Sequence, residues 1–192
     1  MKCCDMKCGC DCRCNQKRIV VELLKEELYG DIESAAYIYA DSLPVDEKEG
    51  GHEKHNVYDI IQDGNMQTTA RLLDQAVEDC KETLFALTKH KLQGSEFDTN
   101  EWRIMTGSPV NDQDAYYLAM IVPDDIPDGT AHTLMTYAHK YIVNKVLEQY
   151  LIIVHPDGAE RFAALALDAE ERMERAVQKS TGNVHIVGHY FD

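Results

Sequence analysis

Apolar residues recur every three or four positions along most of the chain, and this spacing predicts a mainly helical protein. It predicts a first helix over Ile19–Leu28, ended by Gly30, and a second helix that begins at Asp31. The polar, glycine-containing residues 41–55 predict a surface loop. A long amphipathic helix over Gln67–Lys91 has the strongest periodicity in the chain.

Two further helices are predicted in the last third of the chain. The first runs from about Thr130 to Val154 and is apolar over so much of its circumference that we expect it at the centre of the core. His155-Pro156 ends it, and Asp157 followed by Glu160 resembles a capping box at the start of the next helix, about 158–179. That helix places one set of apolar residues on a single face: Phe162, Leu165, Ala169, Met173 and Ala176.

Two short segments between the helices have the composition of β-strands. Residues 101–105 and 115–122 are rich in Trp, Tyr, Ile and Val and are separated by the turn-forming sequence TGSPVNDQD, so they predict a β-hairpin. The overall expectation is a helical bundle with a small β-hairpin and an extended C-terminal tail. Its parts are a Cys-rich segment over 1–16, a helical domain over 17–182 with the hairpin near 101–122, and the tail over 183–192.

The composition narrows the range of functions. A net charge of −15 at pH 7 argues against nucleic-acid binding, because the binding of phosphates needs clustered Lys and Arg. No segment approaches the roughly 18 apolar residues of a membrane span. No apolar stretch follows the N-terminal lysines, as a secretory signal requires. We therefore expect a soluble protein that stays in the cytosol of the cell that makes it.

The first 14 residues, MKCCDMKCGCDCRC, contain six of the seven cysteines. Thiolates packed this densely can share a soft metal such as Zn²⁺ or Cu⁺, and the repeated Cys-x-Cys spacing resembles that of metallothioneins. The segment lacks the paired Cys-x-x-Cys of structural zinc sites, so a reduced, oxidation-prone tail, or a tail ordered only by a partner, is the alternative. The candidate ligands for zinc or another soft metal are Cys3, Cys4, Cys8, Cys10, Cys12 and Cys14.

No other motif predicts catalysis. His52 and His55 stand in GGHEKH, whose spacing differs from the His-Glu-x-x-His of zinc proteases, and His132 and His139 are two turns apart on one predicted helix. Such coincidences are expected among eight histidines. Cys80 lies on the apolar face of its helix and is expected to be buried. We therefore expect no enzyme and no cofactor, with a helical-bundle enzyme that uses the histidines as an alternative.

Four stretches are distinctive: GDIESAAYIYADSL, HNVYDIIQDGN and TARLLDQAVEDCKETLFALTKH between about Gly30 and Lys91, and HTLMTYAHKYIVNKVLEQYL after the predicted hairpin. They resemble a group of uncharacterised proteins from phages and prophages of Bacteroides-type gut bacteria. The similar layout covers most of residues 17–183. The Cys-rich start departs from it.

Such proteins look like neck or tail-completion components, which are small helical subunits that assemble in rings between portal and tail. The resemblance implies a virion structural protein, assembled in the host cytoplasm, whose partners are copies of itself and portal, neck or tail proteins. Acidity suits a ring through which DNA passes without sequence-specific binding. The large aromatics Trp102, Tyr190 and Phe191 are then candidate interface residues, unless each packs on its own subunit. A metal-binding module that uses the N-terminal cysteines is the alternative function.

Overall fold

A computed structural model of the chain describes residues 16–43, 57–62, 64–84, 103–105, 114–123 and 126–180. The mainly α fold class is confirmed by four helices and three strands in these ranges. Residues 1–15 and the predicted tail, 183–192, lie outside the described residues. The elements in chain order are β1 (Gln16–Leu24), α1 (Lys25–Ser42), a 3-10 turn (Asp59–Ile61), α2 (Met66–Thr83), β2 (Arg103–Met105), β3 (Ala115–Pro123), α3 (Asp128–Val154) and α4 (Pro156–Ser180).

The described chain begins with a strand, so the helix predicted over Ile19–Leu28 is wrong as far as Leu24. Every side chain from Ile19 to Leu24 is buried, because β1 is the central strand of the sheet and is covered on both faces. A strand covered on both faces has a continuous apolar run instead of an alternation, and the spacing of such a short run does not distinguish strand from helix. Gly30 does not end a helix either, since α1 continues through it to Ser42.

The sheet has the order β2-β1-β3. β1 pairs antiparallel with β3, from Gln16 opposite Pro123 to Leu24 opposite Ala115. β1 also pairs parallel with β2, where Val20 is opposite Arg103. The expected antiparallel β-pair is therefore present, but its partners differ from the prediction: β2 and β3 both pair with β1 and not with each other.

α3 is the central helix, as its wide apolar surface predicted, since it contacts each of the other three helices. Leu134, Ile142 and Leu147 are fully buried along it. The predicted helix over 67–91 is present as α2, which ends at Thr83, and residues 85–91 lie outside the described part. No helix in the described ranges is long and apolar enough to cross a lipid bilayer.

α4 differs from the prediction at its start and on its buried face. The backbone N–H of Gly158 donates to His155 Nδ1 at 3.1 Å, so the imidazole of His155 caps the helix in the place expected for the Asp157 and Glu160 pair. Leu165, predicted on the buried face, is 46% exposed, and its neighbour Ala166 is only 3% exposed.

Candidate interaction surfaces

The residues predicted to bind metal or to form an interface lie outside the described part of the chain. Both the metal hypothesis and the aromatic-interface hypothesis therefore stay predictions. The residues concerned are Cys3, Cys4, Cys8, Cys10, Cys12 and Cys14 for the metal, and Trp102, Tyr190 and Phe191 for the interface. His52 and His55 are also outside the described ranges.

The histidines of α3 do not converge on a site. His139 Nε2 lies 2.7 Å from Asp31 Oδ2, so this imidazole links α3 to α1. His132 lies two turns earlier on the same helix. Within the described ranges, no group of three His, Cys, Asp or Glu side chains could hold a metal ion.

Two buried side chains of potentially reactive types, a thiol and a carboxylate, have structural roles. Cys80 is fully buried, as predicted, and burial raises the pKa of its thiol to about 12. Because the thiolate is the reactive form, Cys80 is a poor nucleophile. Glu22 is 1% exposed on β1 and accepts a hydrogen bond of 2.9 Å from the hydroxyl of Tyr117, the residue opposite it on β3. This carboxylate therefore joins the two strands.

Two open clefts are lined by both polar and apolar residues. The cleft between α3 and α4 contains two arginines that are already paired, Arg172 with Asp168 at 2.9 Å and Arg175 with Glu171 at 2.8 Å. Neither lining contains a histidine or a cysteine. The first is lined by Gly129, Thr130, Thr133, Tyr137, Arg172, Arg175 and Ala176. The second, at the junction of β1 and α1, is lined by Leu24, Lys25, Glu26, Tyr29, Gly30, Glu33, Ile61 and Asp114.

The end of α1, the end of α3 and the start of α4 meet around Tyr39. The Tyr39 hydroxyl lies 2.9 Å from His155 Nδ1, and its ring packs edge-on against Phe162 with centroids 5.6 Å apart. The same Nδ1 accepts a hydrogen bond from the backbone N–H of Gly158, so one ring nitrogen contacts both α1 and α4. Gly158 lies directly against the ring, because a Cβ there would be 2.6 Å from the Tyr39 oxygen.

This corner of the bundle also exposes large apolar side chains. Two of them precede Tyr39 on α1 and two precede His155 at the end of α3. The fifth, Met66, is at the start of α2. It follows Asn65, whose side-chain amide donates to the Tyr150 hydroxyl at 3.2 Å, one turn before the end of α3. We name these five residues the corner surface: Tyr37, Ile38, Met66, Ile152 and Ile153, with exposed fractions of 42%, 71%, 39%, 55% and 85%.

The corner surface has acidic surroundings. Tyr58, whose ring lies 4.9 Å from that of Tyr37, donates its hydroxyl to Asp41. This hydrogen bond raises the pKa of Tyr58. Burial and then Asp157 raise the pKa of Tyr39, and Arg161 opposes the effect. The carboxylates of Asp41 and Asp157 therefore lie close to these two tyrosines.

A second exposed apolar pair lies away from the corner, on α4. Leu165 and Leu167 are 46% and 56% exposed, and they flank the buried Ala166 on either side. Part of the corner surface could have been found in the sequence, although apolar periodicity alone did not show it. Ile152 and Ile153 prolong the wide apolar surface of α3 to its last turn, where the described residues no longer cover it.

No protein-family model, no curated protein and no solved structure matches the chain. Its function must therefore be argued from its own surfaces.

Proposed function

We propose that the chain is a structural subunit of a phage particle, a ring-forming head-tail connector, neck or tail-completion protein that lets DNA pass. The observation that carries this proposal is the exposure of large apolar side chains in two separate places, the corner surface and the Leu165 and Leu167 pair. Exposed apolar groups of this size usually mark contacts with other molecules. A ring subunit needs one surface for its neighbours and another for the next component of the particle.

The exposed face of α4 suits the contact between copies. Two ion pairs run along this helix, since Asp168 pairs with Arg172 and Glu171 pairs with Arg175. These four charges are therefore already neutralised in pairs when two copies approach along the helix. A contact between two different patches propagates from copy to copy and closes into a ring when the rotation allows it.

The charge of the chain fits the passage of DNA. A net charge of −15 repels the phosphate backbone, so a lumen lined by such subunits holds DNA without gripping it. The resemblance to phage neck and tail-completion proteins supports the same function and adds the virion as its location.

Native mass spectrometry of the reduced protein tests the assembly. We expect a single closed oligomer, and we expect the Leu165→Asp, Leu167→Asp double variant to dissociate it. A chain that stays monomeric at every concentration contradicts ring formation. The same spectrum reports any metal held by the six N-terminal cysteines, and a metal-loaded monomer would favour the metal-binding module instead.

Particles produced from a genome that encodes the chain test the location. We expect a fixed number of copies per purified particle, with antibody labelling at the junction of head and tail in electron micrographs. If purified particles lack the chain, the virion assignment is wrong.

A further inference from the structure

The cleft between α3 and α4 differs in charge from the chain as a whole. Its lining contains two arginines, Arg172 and Arg175, and no carboxylate among the described residues. The chain has 34 Asp and Glu residues against 19 Lys and Arg. The other cleft, at the start of α1, follows that balance, since Glu26, Glu33 and Asp114 line it together with one lysine. The α3–α4 cleft is therefore a local exception to the acidity of the protein.

The cleft is formed where the start of α3 lies beside the end of α4. Gly129, Thr133 and Tyr137 are four positions apart on α3, and Arg172 and Ala176 are four apart on α4, so each helix presents one face to the cleft. The volume of the cleft is about 330 Å³, within the range of roughly 300–1,000 Å³ that is usual for small-molecule sites. Because the cleft is open, a small ligand can enter it without a change in the fold.

The guanidinium of Arg172 is held in place by three contacts. Its Nε donates to Asp168 at 2.9 Å, and its Nη1 donates to the Tyr137 hydroxyl at 3.0 Å. Its Cζ also lies 5.2 Å from the centre of the Tyr137 ring. The Nζ of Lys140 lies 5.3 Å from the same ring centre. Two cations therefore lie against one aromatic ring in the wall of the cleft, an arrangement that the negative face of the ring stabilises.

Both arginines of the lining keep hydrogen-bond donors for a ligand. A guanidinium has five N–H groups. Arg172 uses two of them in the bonds just described, and Arg175 uses one, from Nη2 to Glu171 at 2.8 Å. The Tyr137 hydroxyl accepts a hydrogen bond from Arg172, so its own proton can be donated to a ligand. Donors from α3 and from α4 therefore line the same cleft.

We propose that the α3–α4 cleft binds the phosphate group of a small molecule. A phosphate accepts several charge-assisted hydrogen bonds at once, and a planar guanidinium can form two parallel ones with it. Arg172 and Arg175 are one helical turn apart, so one phosphate can meet both. Their carboxylate partners, Asp168 and Glu171, are not among the lining residues. They orient the arginines without occupying the cleft.

Inorganic phosphate is the probe for this site. Its binding to the full chain under reducing conditions is measured by isothermal titration calorimetry, with phosphate replacing NaCl at constant ionic strength so that screening does not change. We expect saturation at one phosphate per chain with a Kd of about 1 mM, a modest affinity for an open cleft. Phosphate at about ten times this Kd should raise the Tm by about 3–6 °C, because it binds only the folded protein.

Matched variants remove one positive charge at different places on α4. Arg175→Gln should weaken phosphate binding at least about ten-fold. Arg161→Gln is the control, since Arg161 is about 21 Å from Arg175 along the helix, and it should bind phosphate within about two-fold of the wild type. Tyr137→Phe keeps the ring and loses the donor, so it should weaken binding less than Arg175→Gln. The Leu165→Asp, Leu167→Asp variant should bind normally, so phosphate binding and ring formation can fail separately.

Three results would overturn the inference. The first is no saturable binding and no change in Tm with phosphate. The second is an equal loss of binding in Arg175→Gln and Arg161→Gln, because general charge attraction would then explain the binding. The third is binding of duplex DNA that Arg175→Gln abolishes, without binding of free phosphate, because the source of the phosphate would then be a nucleic acid. The side chain of Arg175 is 66% exposed, so the variant should fold; if it does not, Arg175→Lys, which keeps the charge and loses the planar donors, should also bind more weakly than the wild type.

Discussion

Replacing Gly158 with alanine is the sharpest test of the packing at the corner of the bundle. A Cβ at this position would lie 2.6 Å from the Tyr39 oxygen and 2.7 Å from two of its ring carbons, well inside the optimum of about 3.5–4.0 Å between carbon atoms. Tyr39 cannot retreat easily, because it is 7% exposed and its ring packs edge-on against Phe162 and His155. Gly158→Ala therefore requires the corner to shift.

The expected magnitude follows from two opposing effects. Overpacking of a filled site costs about 1–3 kcal/mol, and the better helix propensity of alanine returns at most about 1 kcal/mol. We expect a net loss of about 1–2 kcal/mol in the free energy of unfolding, which lowers the Tm by about 2–8 °C in a chain of this size. Urea unfolding followed by circular dichroism under reducing conditions measures it.

Gly30→Ala is the matched control. Nothing lies within 4 Å of a Cβ added there, and Gly30 is inside α1, so the same substitution should stabilise the protein by about 0.5–1 kcal/mol. Adding Tyr39→Phe to Gly158→Ala removes the nearest atom and should show a coupling of at least about 0.5 kcal/mol. The reasoning is refuted if Gly158→Ala unfolds at the same urea concentration as the wild type or above it.

Three further predictions concern buried and capping groups. The thiol of Cys80, with its pKa raised to about 12 by burial, should escape iodoacetamide in the folded protein and react only on unfolding, as peptide mass spectrometry would show; rapid labelling contradicts this. Burial raises the pKa of Tyr141 to about 12 and, with a carboxylate hydrogen bond, that of Tyr116 further. The free energy of unfolding should therefore be unaffected by these groups below about pH 10 and fall above it, because the tyrosines of the unfolded chain lose their protons first. Tyr116→Phe should reduce that fall. If urea unfolding shows the same fall in this variant, the raised pKa of Tyr116 is not its cause. His155→Ala should cost about 1 kcal/mol and His155→Asn much less, since asparagine also caps helices; equal midpoints for the two variants would rule out the cap.

The proposed function depends on residues that sequence periodicity treats as core. Leu165 was predicted on the buried face of its helix, yet Ala166 occupies that face and Leu165 is exposed. A helical position between two neighbouring elements is buried or exposed according to where those elements lie. The spacing of apolar residues gives the direction of the face only to within about one residue, or 100°.

The sequence by itself determined the three long helices α2, α3 and α4, the central place of α3 and the burial of Cys80. These depend on periodicity over many residues, which local composition records. Only the tertiary structure decided that residues 16–24 are a strand, because β1 is stabilised by pairing with β2 and β3, which are distant in the chain. It also decided the corner, where Tyr39 meets His155 across 116 positions. Contacts between such distant residues depend on how the helices pack, and no local pattern encodes that.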